Sequence, residues 1–125
     1  MESEFSLIIA NFRREKLEEV EKKLEKMGVE RINVSKVRGF GEYHNYFAPN
    51  WLESEVRVEI FTKRHEVEAI VSTIMHTARS GETGYPGDGV VAVLPIEKLY
   101  LIRTCAEATP ETFWPQEAAE SRAAA

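Results

Sequence analysis

Four glycines and a proline crowd into the nine residues Gly81-Glu82-Thr83-Gly84-Tyr85-Pro86-Gly87-Asp88-Gly89. Glycine-dense turns let the backbone come close to a ligand and aim successive N–H groups at an anion. The run follows a helical pattern and enters a strand pattern, the reverse of phosphate-loop order. It also lacks a Gly-Lys-Ser/Thr ending, which excludes a Walker-type phosphate loop. Two readings stand: a helix–strand connector with turn glycines, or an anion-binding loop. Gly39-Phe40-Gly41 is a second glycine site. It is either a strand running into a loop or a second cleft wall with Phe40 packed beneath. Arg103 falls at the end of the last strand pattern. An arginine there is a fork for phosphate or a solvated strand end.

His44, His65 and His76 are scattered, and no His/Cys cluster has the ligand spacing of a zinc site. His44 is the one metal candidate, and an interface contact or pH sensor is its other role. Cys105 has no evident histidine partner and reads as inert. No Ser-His-Asp set or carboxylate pair can be picked out, so no catalytic residue is assigned and the chain reads as a non-enzyme. The aromatics Tyr43, Tyr46, Phe47 and Trp51 follow no helical or strand period. They suit either a protein-recognition loop, where aromatics give large contact area at low entropy cost, or a lid folded back on the domain.

The elements that must position these residues are legible from periodicity. Phe5–Asn11 is a short apolar run and predicts a buried strand. From Arg14 to Met27 the residues Leu17, Val20, Leu24 and Met27 form one apolar stripe on a charged helix, with Glu-to-Lys spacings that support it. Gly28 stands just past the helix end. Ile32–Arg38 alternates and predicts a strand, with Ile32, Val34 and Lys36 on one face. Residues 42–54 hold Pro49 and read as a loop. Val56–Thr62 alternates as a third strand. Glu66–Ser80 places Val67, Ile70, Val71, Ile74 and Met75 on one helical face. Val90–Leu94 reads as a central strand and Leu99–Arg103 as a short last one. The order βαβ, loop, βαβ predicts an α+β, ferredoxin-like sandwich: an antiparallel sheet with two helices on one face. Its other face is left partly apolar, which predicts self-association. Residues 1–104 form the domain, and 105–125 read as a mobile tail in which Phe113-Trp114 could dock.

A chain of 125 residues and 14.3 kDa buries a core without disulfide or metal. The single cysteine and acidic N-terminus point to the cytoplasm, and no run is long enough to span a membrane. A net charge of −5 disfavours nucleic acid as a partner, though not a small phosphate ligand.

Three stretches together resemble the PII signal-transduction family of trimeric, ligand-sensing regulators. KLEEVEKKLEKMGVERINVSKVRGFG (Lys16–Gly41) is similar to its first helix, second strand and the glycine pair opening its long T-loop. VRVEIF (Val56–Phe61) is similar to the strand closing that loop. TARSGETGYPGDGVVAVLPIEKLYLIRT (Thr77–Thr104) is similar to the stretch holding the nucleotide-binding B-loop and last strands. The resemblance implies a homotrimer with adenine nucleotides in clefts between subunits. Gly39 and Gly41 would line the cleft at the T-loop base (42–54). Gly87, Asp88 and Gly89 would form the turn of the B-loop (81–89), whose backbone amides would meet the phosphates, and Arg103 would be the phosphate-binding arginine from the last strand. The T-loop aromatics and His44 would dock on a target, a membrane transporter for bicarbonate or another ion, holding the protein at the inner membrane through that partner.

The departures shape the expectation. The T-loop is shorter than is usual for the family and lacks the segment with the uridylylated tyrosine. Tyr43 replaces the glutamine used for magnesium and 2-oxoglutarate. Tyr85-Pro86 is an insertion, and Glu82, Val90 and Leu101 replace basic residues. Three lost positive charges favour ADP or AMP over ATP as the effector, with no obligatory cofactor. The alternatives are a metal-responsive relative linked to metal efflux, and a trimeric interaction module whose nucleotide site is lost.

Overall fold

The computed structural model describes residues 3–29, 31–39 and 53–113. Alternation decides the architecture. In β1 (Phe5–Arg13), Ile8, Ala10 and Phe12 are buried, while Leu7, Ile9, Asn11 and Arg13 lie half-buried on the opposite face. In β3 (Glu53–Lys63), Val56, Val58, Ile60 and Thr62 are buried in the same rhythm. The period of two therefore sorts each strand into a core face and an open face. β2 (Ile32–Gly39) pairs with β3, β3 with β1, and β1 with β4 (Gly89–Ile96), all antiparallel, in the order β2-β3-β1-β4. That is the expected ferredoxin-like sheet, but β4, expected as a central strand, lies at its edge and among the described residues pairs only with β1.

Helices α1 (Leu17–Lys26) and α2 (Val67–Ala78) cover the core face. Each is entered by one 3-10 turn, Arg14–Lys16 and Arg64–Glu66, so the two halves repeat in structure although not in sequence. Val20 and Leu24 of α1, with Ile70 and Ile74 of α2, pack on Ile8, Phe12, Val58 and Ile60. Fully burying such side chains stabilises by about 1.5–3 kcal/mol each. Glu18–Lys22 at 3.1 Å and Glu19–Lys23 at 3.9 Å are the expected helical ion pairs. At the end of α1 the Val29 amide donates to the Leu24 carbonyl and the Gly28 amide to that of Glu25, so Gly28 ends the helix as expected. Met27 and Met75, expected on buried stripes, are 41% and 50% exposed. They lie at the rim, and Thr77 and Ala78 fill the core at the end of α2 instead.

The open face is divided. After β4 the chain crosses it as β5 (Tyr100–Leu101), β6 (Ala106–Glu107) and the single turn α3 (Pro110–Phe113). Phe113, Ala108 and Leu101 pack there on Phe5, Phe61 and Ile96. The rings of Phe5 and Phe113 meet edge to face at 5.2 Å between centroids. Residues 105–113, expected in the tail, are thus docked on the sheet because Phe5 and Phe61 offer an apolar seat. Residues 114–125 lie outside the described residues. The rest of the open face keeps apolar groups in contact with water, Val90 (64% exposed) and Leu94 (42%) among them.

Candidate functional site

The glycine-dense loop is organised by one carboxylate. Asp88 Oδ2 accepts the backbone amide of Ser80 at 3.0 Å and that of Tyr85 at 2.9 Å. Its Oδ1 meets the Nε of Arg13 at 3.4 Å, and a second Arg13 nitrogen donates to the Pro86 carbonyl at 2.7 Å. Burial alone would raise the Asp88 carboxyl. The hydrogen bonds from Ser80 and Tyr85, joined by Arg13, outweigh it and hold the group down at about 2. Asp88 is expected in the turn whose backbone amides meet phosphate; its carboxylate faces inward and fixes the loop.

Arg13 was not singled out in the sequence. It ends β1 beside Arg14 with nothing local to distinguish it, and the loop groups it meets, Asp88 and Pro86, lie more than seventy positions away. It lines a groove of ≈ 590 Å³ with Glu15, Ser80, Tyr85 and Pro86.

Gly87 is buried, and Gly89, expected in the loop, is the first residue of β4. Gly89 has φ +116° and pairs with Phe12. A Cβ there would overlap the Asn11 carbonyl and come within 2.9 Å of Phe12 Cα. Only glycine lets the loop join the sheet at this point. Beside it, a cavity of ≈ 290 Å³ opens between α2 and the β1–β4 pair, lined by Asn11, Ile74, Met75, Ala78 and Val90.

Gly39 closes β2 opposite Glu53. The row Lys36–Val56–Phe12–Gly89 crosses the sheet, so Gly39 and the glycine loop lie at the same end of it. Arg103 does not. It was expected to end the last strand, but β5 stops at Leu101. The chain turns there through the Cys105 amide on the Ile102 carbonyl, with Cys105 at φ +52°. Arg103 is exposed on that turn and lines a cleft of ≈ 330 Å³ with Arg31, Tyr100, Ile102, Thr112 and Phe113. From Gly89 to the Phe5–Ile96 row, where this segment docks, the sheet runs on the order of 20 Å. One chain therefore holds the loop and Arg103 at opposite ends.

Gly41, Tyr43, His44, Tyr46, Phe47 and Trp51 lie outside the described residues. Among the described residues no group of three His, Cys, Asp or Glu side chains could hold a metal. No helix among them is long and apolar enough to cross a membrane. Glu82 and Val90 are exposed, while Leu101 is turned into the Phe5–Phe113 cluster.

Two buried polar atoms on the open face have no hydrogen-bond partner among the described residues. They are Asn11 Oδ1 and Arg57 Nε, on paired positions of β1 and β3. Arg57 Nε lies 3.5 Å from Glu59 Oε1 but not in hydrogen-bonding geometry.

The family profile described as nitrogen regulatory protein P-II matches residues 5–106. A nitrogen regulatory protein P-II homolog of Arabidopsis thaliana is 34% identical over 111 residues, 82% of this chain and 55% of the relative. Nitrogen regulatory protein GlnK1 of Methanosarcina mazei is 35% identical over 105 residues, 78% of this chain and 88% of the relative. The crystal structure of Arabidopsis thaliana PII bound to citrate is similar at a TM-score of 0.69 and 32% identity, over 86% of this chain and 88% of that one. The chain spans about half the length of the plant relatives it matches.

Proposed function

Because the chain belongs to the nitrogen regulatory protein P-II family, we propose that it is a non-enzymatic regulator that binds an adenine nucleotide between neighbouring copies of itself. The assembly proposed is a homotrimer, and ADP or AMP is preferred over ATP. One observation carries this reading. The glycine loop and Arg103, both proposed to meet the phosphate of the ligand, stand at opposite ends of one sheet. A ligand that touches both must take the loop from one copy and the arginine from the next. Asn11 Oδ1, buried without a hydrogen-bond partner among the described residues, supports the same assembly, since a second copy can supply one. The exposed apolar residues of the open face support it too.

The nucleotide is the signal and the segment around Tyr43, His44, Tyr46, Phe47 and Trp51 is the output, docking on a partner. The partner proposed is a membrane transporter for bicarbonate or another ion, which would keep the protein in the cytoplasm at the membrane surface.

Calorimetric titration with ATP, ADP and AMP tests the reading. Arg103→Ala should weaken the preferred nucleotide by about 1.5–3 kcal/mol, the size of a charge-assisted contact. Glu82→Lys with Val90→Lys should raise affinity for ATP more than for AMP, because both add charge beside the loop. Citrate, bound in the solved Arabidopsis thaliana relative, belongs in the same series as a polyanion control. Sizing by light scattering checks the trimer. A monomeric chain, or equal affinities in wild type and Arg103→Ala, would overturn the proposal.

A further inference from the structure

Arg31 and Arg103 are far apart in sequence but line the same cleft. Register explains why. Ile32 pairs with Ile60, so Arg31 stands at the entry to edge strand β2, beside Phe61. Phe61 seats the segment after β4 through Leu101 and Phe113, and both of those residues also line the cleft. The docked segment thus carries Arg103 across the open face to Arg31. Neither guanidinium has an acidic partner among the described residues. Thr112, which shares the cleft, is uncharged and supplies no counter-ion; its hydroxyl accepts the Thr109 amide at 2.8 Å.

Two like charges sharing a cleft without a counter-ion favour an anion there, and more strongly the more charge it bears. We propose that Arg31 and Arg103 form a two-guanidinium clamp for the phosphoryl group of the ligand, with Arg31 a specificity-determining residue that selects for phosphate. The inference rests on the nucleotide reading above and deepens it. Arg31 restores positive charge to a site whose Glu82, Val90 and Leu101 positions hold none. It does so from a different element, and the planar fork of arginine suits an anion bearing several oxygens.

The test is calorimetry with ADP, AMP and adenosine on wild type, Arg31→Ala, Arg31→Lys and Arg103→Ala, each shown folded by circular dichroism. Arg31→Ala should weaken ADP and AMP at least tenfold and leave adenosine unchanged. Arg31→Lys should fall between. Wild-type binding with Arg31→Ala unchanged overturns the clamp alone. Adenosine weakened as much as ADP also overturns it, since Arg31 would then hold the base. A wild-type chain that binds none of the three overturns both the clamp and the reading beneath it.

Discussion

Gly89→Ala is expected to lower the free energy of unfolding by about 4 kcal/mol, enough to remove most of a small domain's stability. Two costs combine. The residue sits at φ +116°, where an L side chain is strained. The added methyl would also press on main-chain atoms of Asn11 and Phe12, which cannot rotate away as a side-chain tip could. Relief requires β4 to separate from β1 at the glycine loop, which breaks the Phe12–Gly89 end of the ladder. Urea denaturation checks the magnitude. A loss below about 1 kcal/mol would show that the strands have slack here. Gly28→Ala is the control, because its φ is also positive but no atom lies within 4 Å of the added carbon.

Asp88→Ala should cost about 3 kcal/mol. It leaves the Ser80 and Tyr85 amides without their acceptor and takes the carboxylate from Arg13. This penalty depends on pH, and the sign follows from the depressed carboxyl. The unfolded group titrates near 3.8 and the folded one near 2. Stability from ionised Asp88 is therefore complete above about pH 4 and is lost as pH falls through 2. That ionic share is about 1–2 kcal/mol, allowing for the group's partial contact with solvent. Comparing Asp88→Asn with wild type by urea denaturation should show a gap at pH 6 that narrows towards pH 2. A gap constant across that range would assign the carboxylate a packing role only.

Much of the frame was legible because it depends on local rhythm. Ile8, Ala10 and Phe12 announce a sheet face, Val20 and Leu24 a helical stripe, and Gly28 a helix end. Each of those signals is written within a few residues of where it acts. Arg13 and Arg31 were not legible for the opposite reason. Each is one charge among 37 charged residues, and its meaning comes only from a segment that folding brings from far along the chain. The same applies to Phe113, which looks like a tail residue until Phe5 is placed beneath it. Arg103 was found as a residue but misplaced on its element, since the turn that ends β5 turns on a non-glycine residue, Cys105, at positive φ. Asp88 is legible as part of the loop turn, but nothing local assigns a task to its carboxylate. Only the structure places the Ser80 and Tyr85 amides around its carboxylate.

The separation of glycine loop and Arg103 along one sheet has a genetic consequence. If each seam borrows one half from either neighbour, two defective alleles can rescue one another. Subunits carrying Arg103→Ala still donate a sound loop, and subunits carrying Asp88→Ala still donate a sound arginine. Co-expressed in equal amounts and mixed at random, they would rebuild about a quarter of the seams in wild-type form. Neither allele alone would rebuild any.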